Sequence, residues 1–196
     1  MKKLMLTIAA ALLVVAASAQ TKFYVGGSMG YSSEAYDGGT TTSTLTFLPE
    51  FGYVLNANMA VGAELGYNST YNKNGGRTDG TFTFAPYFRY TFLSFGDVSL
   101  FGDGVLSYKR GTTKYDGVDK ASNTNTIGIS VQPGIAYSLN EHFSLVAKFG
   151  SVLGYSSSKP DAEGAKATTA FDLLALNNKL TFGCYYTFYS KGNIES

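Results

Sequence analysis

Along most of the chain, large apolar residues alternate with small or polar ones at a period of two, the pattern of strands whose two faces meet different surroundings. Eight stretches show it: 22–32, 44–55, 59–71, 81–92, 98–109, 126–139, 143–155 and 179–189. The fourth is the plainest. There Phe82, Phe84, Phe88, Tyr90 and Phe92 alternate with Thr81, Thr83, Ala85, Tyr87, Arg89 and Thr91. Elsewhere Leu45, Phe47, Phe51 and Tyr53 oppose Thr46, Glu50 and Gly52, and Ile127, Ile129, Val131 and Ile135 oppose Gly128, Ser130, Gln132 and Gly134.

The connections alternate in length. Short turns are expected at 56–58, 94–97 and 140–142, and long polar loops at 33–43, 72–80, 110–123 and 156–169, rich in Gly, Ser, Thr, Asp and Lys. Short turns on one rim and long loops on the other suit an up-and-down barrel. The even-numbered stretches also share a repeat, in which 46–55, 83–92 and 130–139 align on Pro49, Pro86 and Pro133, with Cys184 at the matching place in 181–188. Proline has no N–H to give a ladder, so a bulge or broken bond is expected at each of the three. Residues 171–178 read equally well as a strand extension or a short helical loop.

Alternation alone does not say which face points inward. An eight-stranded barrel is only wide enough for its own side chains or one small ligand. The bulky set is rich in Phe and Tyr, whereas the opposite set is mostly Gly, Ser, Thr and Ala with charges in mid-strand. Basic residues at mid-depth in hydrocarbon would cost about 2–4 kcal/mol each. The small and charged face therefore goes inside, and the aromatic face meets lipid. The expected fold is all-β, an eight-stranded antiparallel up-and-down transmembrane β-barrel; a soluble secreted barrel binding a lipophile is the alternative. Tyr31, Tyr67, Tyr108 and Tyr155 fall toward the long-loop ends of odd stretches, and Tyr53, Tyr90, Tyr137 and Tyr186 toward the other ends of even ones. Two such belts make an aromatic girdle at the two membrane interfaces.

The N-terminus changes the arithmetic. Lys2 and Lys3 precede an apolar run from Leu4 to Ala16 and then Ala17-Ser18-Ala19, the layout of a secretory signal peptide over residues 1–19, with the barrel domain over 20–196. Its loss removes two lysines, so the formal net charge of +1 becomes −1. Near-neutrality disfavours nucleic acid as a partner. One Cys in 196 residues excludes a disulfide framework and a Cys-rich zinc site.

Inward parity gathers Glu50, Glu64, Arg89, Asp103, Lys109, Lys148 and Lys179 as a lumen ion network, with Arg89 and Lys148 expected to pair with Glu50, Glu64 or Asp103. Such a network is either a structural plug or a gate for ions. The one histidine, His142, falls in a short turn with no Ser-His-Asp set around it, so no catalytic residues, cofactor or metal are expected. Cys184 takes the lipid-facing parity and reads as an inert small residue. Asn68-Ser69-Thr70 matches a glycosylation acceptor, a pattern short enough to arise by chance, and Gly26-Gly27 and Gly75-Gly76 lack the Lys-Ser/Thr of a phosphate loop.

Two segments resemble small outer-membrane β-barrel proteins of the OmpA/OmpX-type, porin-like superfamily: Pro49-Glu50-Phe51-Gly52-Tyr53 with Ala63-Glu64-Leu65-Gly66-Tyr67, and Thr181 to Phe188. The second is similar to the C-terminal signal of that family, with Thr181, Gly183, Tyr186 and Phe188 at its marked positions; here the chain runs on to Ser196. The resemblance implies the outer membrane of a Gram-negative bacterium, lipid and the barrel-assembly machinery as partners, a monomer, and a structural or surface-binding role. The four loops would meet any extracellular ligand, and a narrow ion or small-solute channel is the other reading.

Overall fold

The computed structural model describes residues 22–35, 41–73, 76–117, 122–162, 164–174 and 180–189. The expected signal peptide and Lys179 lie outside them. Every described element is a strand: β1 (Lys22–Ala35), β2 (Thr41–Val54), β3 (Met59–Asn72), β4 (Arg77–Phe95), β5 (Val98–Tyr115), β6 (Ser122–Ser138), β7 (Phe143–Lys148), β8 (Leu153–Pro160), β9 (Thr168–Leu173) and β10 (Thr181–Tyr189). Consecutive strands from β1 to β7 pair antiparallel, β7 pairs β10, and β10 pairs β1, closing a ring of eight. Above β7 and β10, β8 continues the wall against β6, and β9 lies on β8.

The seventh expected strand is therefore two. Residues 149–152 break the ladder, held to β6 only by Phe149 N–H donating to Pro133 O at 3.0 Å and Val152 N–H to Val131 O at 2.9 Å. Part of the segment read as a loop forms β9, so 171–173 is strand rather than helix, and 175–178 lies outside the described residues. The other expected loops are also shorter than the sequence suggests. Their Thr- and Ser-rich arms keep pairing, so β4 and β5 stay in register from Phe95↔Val98 out to Arg77↔Tyr115, apart from one irregularity between Thr91 and Leu93.

All three prolines interrupt pairing on one side only. Pro49 stays in register with Gly27 of β1, but no pair joins Leu48 or Pro49 to β3. Pro86 pairs Ala63 of β3 while the ladder to β5 skips Ala85 and Pro86. Pro133 pairs Gly102 of β5, and facing it on the other side β7 gives way to β8. In an antiparallel strand a residue's N–H and C=O point to the same neighbour, so each missing N–H is turned toward the following strand. At Cys184, which has its N–H, both ladders hold.

The outside is apolar, as expected of a membrane barrel and not of the soluble alternative: Phe47, Phe51, Phe84, Phe88, Ile127, Ile129 and Leu145 are all exposed. From Leu45 to Leu55 on the β2 wall, ten steps of about 3.3 Å tilted by about 40° give a band roughly 25 Å tall, the height of a hydrocarbon core between girdles.

Candidate functional site in the barrel lumen

Four of the inward aromatics stand each opposite a glycine in direct register: Tyr24↔Gly52, Tyr87↔Gly62, Phe101↔Gly134 and Tyr185↔Gly26. A Cβ at any of these glycines would run into the ring of its partner. The glycines are sockets that let the rings lie flat across the wall and converge on the axis. This corrects the expectation of a lumen filled by small residues and ions: the most deeply buried side chains include Tyr24, Tyr87, Phe101, Val105, Val146 and Tyr185. Phe101 and Tyr185 take the inward parity of their strands, and the glycine opposite each is the signal that would have found them.

Between these rings lie the ions. Arg89 donates two 2.8 Å hydrogen bonds, from Nε to Asp103 Oδ1 and from Nη2 to Asp103 Oδ2, and a longer one of 3.4 Å from Nη2 to Glu50 Oε1. Its guanidinium lies 3.9 Å from the centre of the Phe101 ring, inside cation–π range. Lys148 Nζ donates to Glu50 Oε2 at 2.6 Å and stands 3.8 Å from both Glu64 and Asp103. Tyr185 donates to the same Glu50 oxygen at 2.7 Å, and the Tyr24 and Tyr87 hydroxyls share a 2.5 Å bond. Glu50 and Glu64 face each other in register on β2 and β3, a like-charge pair that Lys148 bridges. Asp103 is only 1% exposed, yet among the described residues no buried side-chain nitrogen or oxygen lacks a hydrogen-bond partner.

Five of the seven expected network residues thus meet: Glu50, Glu64, Arg89, Asp103 and Lys148. Lys109 stands six residues further along β5, about 20 Å toward the loops, opposite Thr83 and Thr126. Beside the cluster lies a cavity of about 10 Å³ lined in part by Ser28, Glu64, Lys148 and Thr181, room for about one water. Among the described residues no group of His, Cys, Asp and Glu is arranged to hold a metal ion.

On the outer face Tyr67, Tyr90, Tyr108, Tyr137 and Tyr155 are exposed, whereas Tyr53 and Tyr186 are half-buried. Tyr186 is covered by His142, stacked on it at 5.4 Å, and by the edges of Phe143 and Phe188. Tyr31 lies on β1 in register with Leu45. Thr181, Gly183, Tyr186 and Phe188 all lie on β10, where Phe188 stacks on Phe23 at 4.6 Å. The strand does not stop at Phe188: Tyr189 pairs Lys22, receives its ammonium 4.7 Å above the ring, and donates from its hydroxyl to Glu141 O at 2.6 Å.

A closed ring with an apolar exterior and a packed, charged interior defines an integral outer-membrane β-barrel. A family model described as an outer membrane protein beta-barrel domain matches residues 4–188, and the chain belongs to that family. It is a protein of the Gram-negative outer membrane, in contact with membrane lipid. Among curated proteins none matches significantly. Similar solved structures include a major outer membrane protein of Thermus thermophilus, 16% identical with a TM-score of 0.50 over 86% of this chain and 99% of that one. Neisserial surface protein A is 16% identical with a TM-score of 0.49 over 87% and 98%. The attachment invasion locus protein Ail of Yersinia pestis is 13% identical with a TM-score of 0.45 over 87% and 99%.

Proposed function

We propose that this is a non-enzymatic barrel with a plugged lumen, acting as a structural element of the envelope and as a platform for surface contacts. The observation that carries the reading is the buried ion and tyrosine cluster, with its small cavity of about 10 Å³ alongside. A pore needs a continuous water column, and Arg89, held by two carboxylates and by the ring of Phe101, blocks one. Beyond the apolar band the hairpins carry polar and charged groups, such as the Arg77–Asp79 pair and the Arg110–Asp161 pair, and these arms offer the surface for an extracellular ligand. On the same reading the two tyrosine belts mark the interfaces, Thr181, Gly183, Tyr186 and Phe188 present the last strand to the barrel-assembly machinery, and the barrel works as a monomer.

Planar-bilayer recording tests the plug. The wild-type protein is expected to show no sustained conductance, and steady channel openings would overturn the reading. The ion-gate alternative has one specific observation behind it, Lys148 suspended among three carboxylates. If the cluster is a gate, Lys148→Met raises conductance; if it is a plug, that variant stays silent.

A further inference from the structure

Beyond the tyrosine belt on the loop side, charge on the outer face is lopsided. Outward positions there on β2, β3 and β4, such as Ser43, Ser69, Thr78 and Gly80, carry no charge; they share parity with the exposed Leu45, Tyr67 and Phe82. On β5 and β8 the same parity brings out Arg110, Lys114 and Lys159, with Asp116 just past β5 and Asp161 just past β8 as the nearby acids. Two of these cations stand in one row: Arg110 pairs Asn125 of β6, and Asn125 pairs Lys159 of β8. The row lies three pairs below the end of the β5–β6 ladder at Thr113↔Ser122.

Neighbouring strands lie about 4.8 Å apart, so the α-carbons of Arg110 and Lys159 are roughly 10 Å from each other with Asn125 between them. Arg110 is two residues beyond Tyr108, and Lys159 four beyond Tyr155. With strands tilted by about 40°, the two stand roughly 5 and 10 Å above the belt. Lipid head groups fill about 5–8 Å on each side of the hydrocarbon, and a lysine stem lets its ammonium reach down to them. A row facing sideways at that depth meets lipid before it meets any soluble protein. Below it the wall is aliphatic, with Leu106, Ile127 and Ile129 exposed, whereas β4 presents Phe82, Phe84 and Phe88.

An anion already sits against the row. Asp161 Oδ1 accepts from Asn125 Nδ2 at 3.0 Å, and Asp161 Oδ2 lies 3.8 Å from Arg110 Nη2. Tyr108 fixes the other end of the amide by donating to Asn125 Oδ1 at 2.9 Å. The Arg110 and Asp161 side chains are 52% and 48% exposed, so their pairing contributes little on its own. Lys159 is exposed and forms no ion pair among the described residues. We propose that Arg110, Asn125 and Lys159 hold the phosphate of an outer-leaflet lipid, whose acyl chains lie along Leu106, Ile127 and Ile129. The phosphate takes over from Asp161 as acceptor for Arg110 and Asn125. The guanidinium forks onto two of its oxygens, the amide donates to it, and Lys159 adds a point charge. The site rests on the reading of Tyr108 and Tyr155 as the outer interface and is independent of what the lumen does.

Native mass spectrometry of the full barrel released from detergent micelles, with lipid A as the probe, counts the lipid retained. The wild type is expected to keep lipid A about tenfold better than its phosphate-free form, and Arg110→Gln with Lys159→Gln to lose that preference. Lys22→Gln with Lys73→Gln removes the same charge elsewhere and is expected to leave it intact. Asp161→Asn takes away the competing carboxylate and is expected to raise retention about threefold. The mobility shift between unheated and boiled samples checks that each variant folds. Equal retention of the two lipid forms by the wild type, or equal losses in the two double variants, overturns the proposal. Release of lipid A by millimolar inorganic phosphate also overturns it, since the site would then be one for the free ion. A spin label at Ser157→Cys in a Cys184→Ala background reports depth in vesicles. A label in bulk water overturns the interface reading and the site with it; a label in the head-group layer without phosphate-dependent retention overturns the site alone.

Discussion

Replacing Arg89 with Met removes the guanidinium that hydrogen-bonds both deeply buried carboxylates and leaves Lys148 as the cation beside them. Asp103 would lose two 2.8 Å charge-assisted bonds and keep only Lys148 at 3.8 Å, while Glu50 would keep Lys148 and Tyr185. The cluster would go from three acids and two bases to three acids and one. Opposite charges about 4 Å apart at an effective dielectric near 20 attract by roughly 4 kcal/mol. Removing one partner of a buried pair costs about 3–5 kcal/mol, since the other charge is left in place. The expected loss of folding stability is therefore about 3–5 kcal/mol, two to four decades in the unfolding equilibrium constant. Arg89→Lys should lose part of this, because a point charge cannot fork onto both Asp103 oxygens. Arg89→Met with Asp103→Met, which removes both members of the pair, should lie closer to the wild type than Arg89→Met alone. The assay is urea unfolding and refolding in lipid vesicles, followed by tyrosine fluorescence, the chain having no Trp, and by the mobility shift between unheated and boiled gel samples. If Arg89→Met stays within about 1 kcal/mol of wild type, with an unchanged denaturant slope, the carboxylates are hydrated and the plug reasoning is wrong.

Gly134→Ala would put a methyl group into the ring of Phe101 and should cost about 1–3 kcal/mol in the same unfolding assay, with Phe101→Leu restoring part of the loss. Pro86→Ala returns an N–H facing β5 where the ladder is already broken; stability should change by no more than about 1 kcal/mol, and amide exchange at residue 86 shows whether the new donor finds a partner. Phe188→Ala removes the ring stacked on Phe23 and, on the proposed reading, an assembly cue on β10, so outer-membrane yield in cells should drop further than the stability of protein refolded in vesicles; equal drops would leave packing as its whole role.

The period-two pattern showed the strands because each wall separates two solvents, lipid and a narrow lumen, and every residue must choose one. It could not show where pairing stops. Whether 143–155 is one strand or two depends on Pro133 in a different strand and on how 149–152 bridges the missing donor. Parity also placed Glu50, Arg89, Asp103 and Lys148 on the inner face, but parity is silent about height. Lys109 shares the face and stands about 20 Å from Asp103 along β5. The inner aromatics were obscured by their size: Phe101 and Tyr185 look like lipid-facing residues until register sets each against a glycine.

The partners in the lumen cluster are distant along the chain. Arg89 reaches Glu50 across 39 residues, Lys148 reaches Glu50 across 98, and Tyr185 reaches it across 135. Glu50 is made early in synthesis, yet two of its three partners come from strands β7 and β10, which close the ring. No partial sheet can satisfy it. A barrel that stalls with β1 to β5 in place would hold Arg89 and Asp103 paired and Glu50 without its lysine or its phenol. The cluster thus acts as a latch whose contacts are complete only when β7 and β10 have closed the ring.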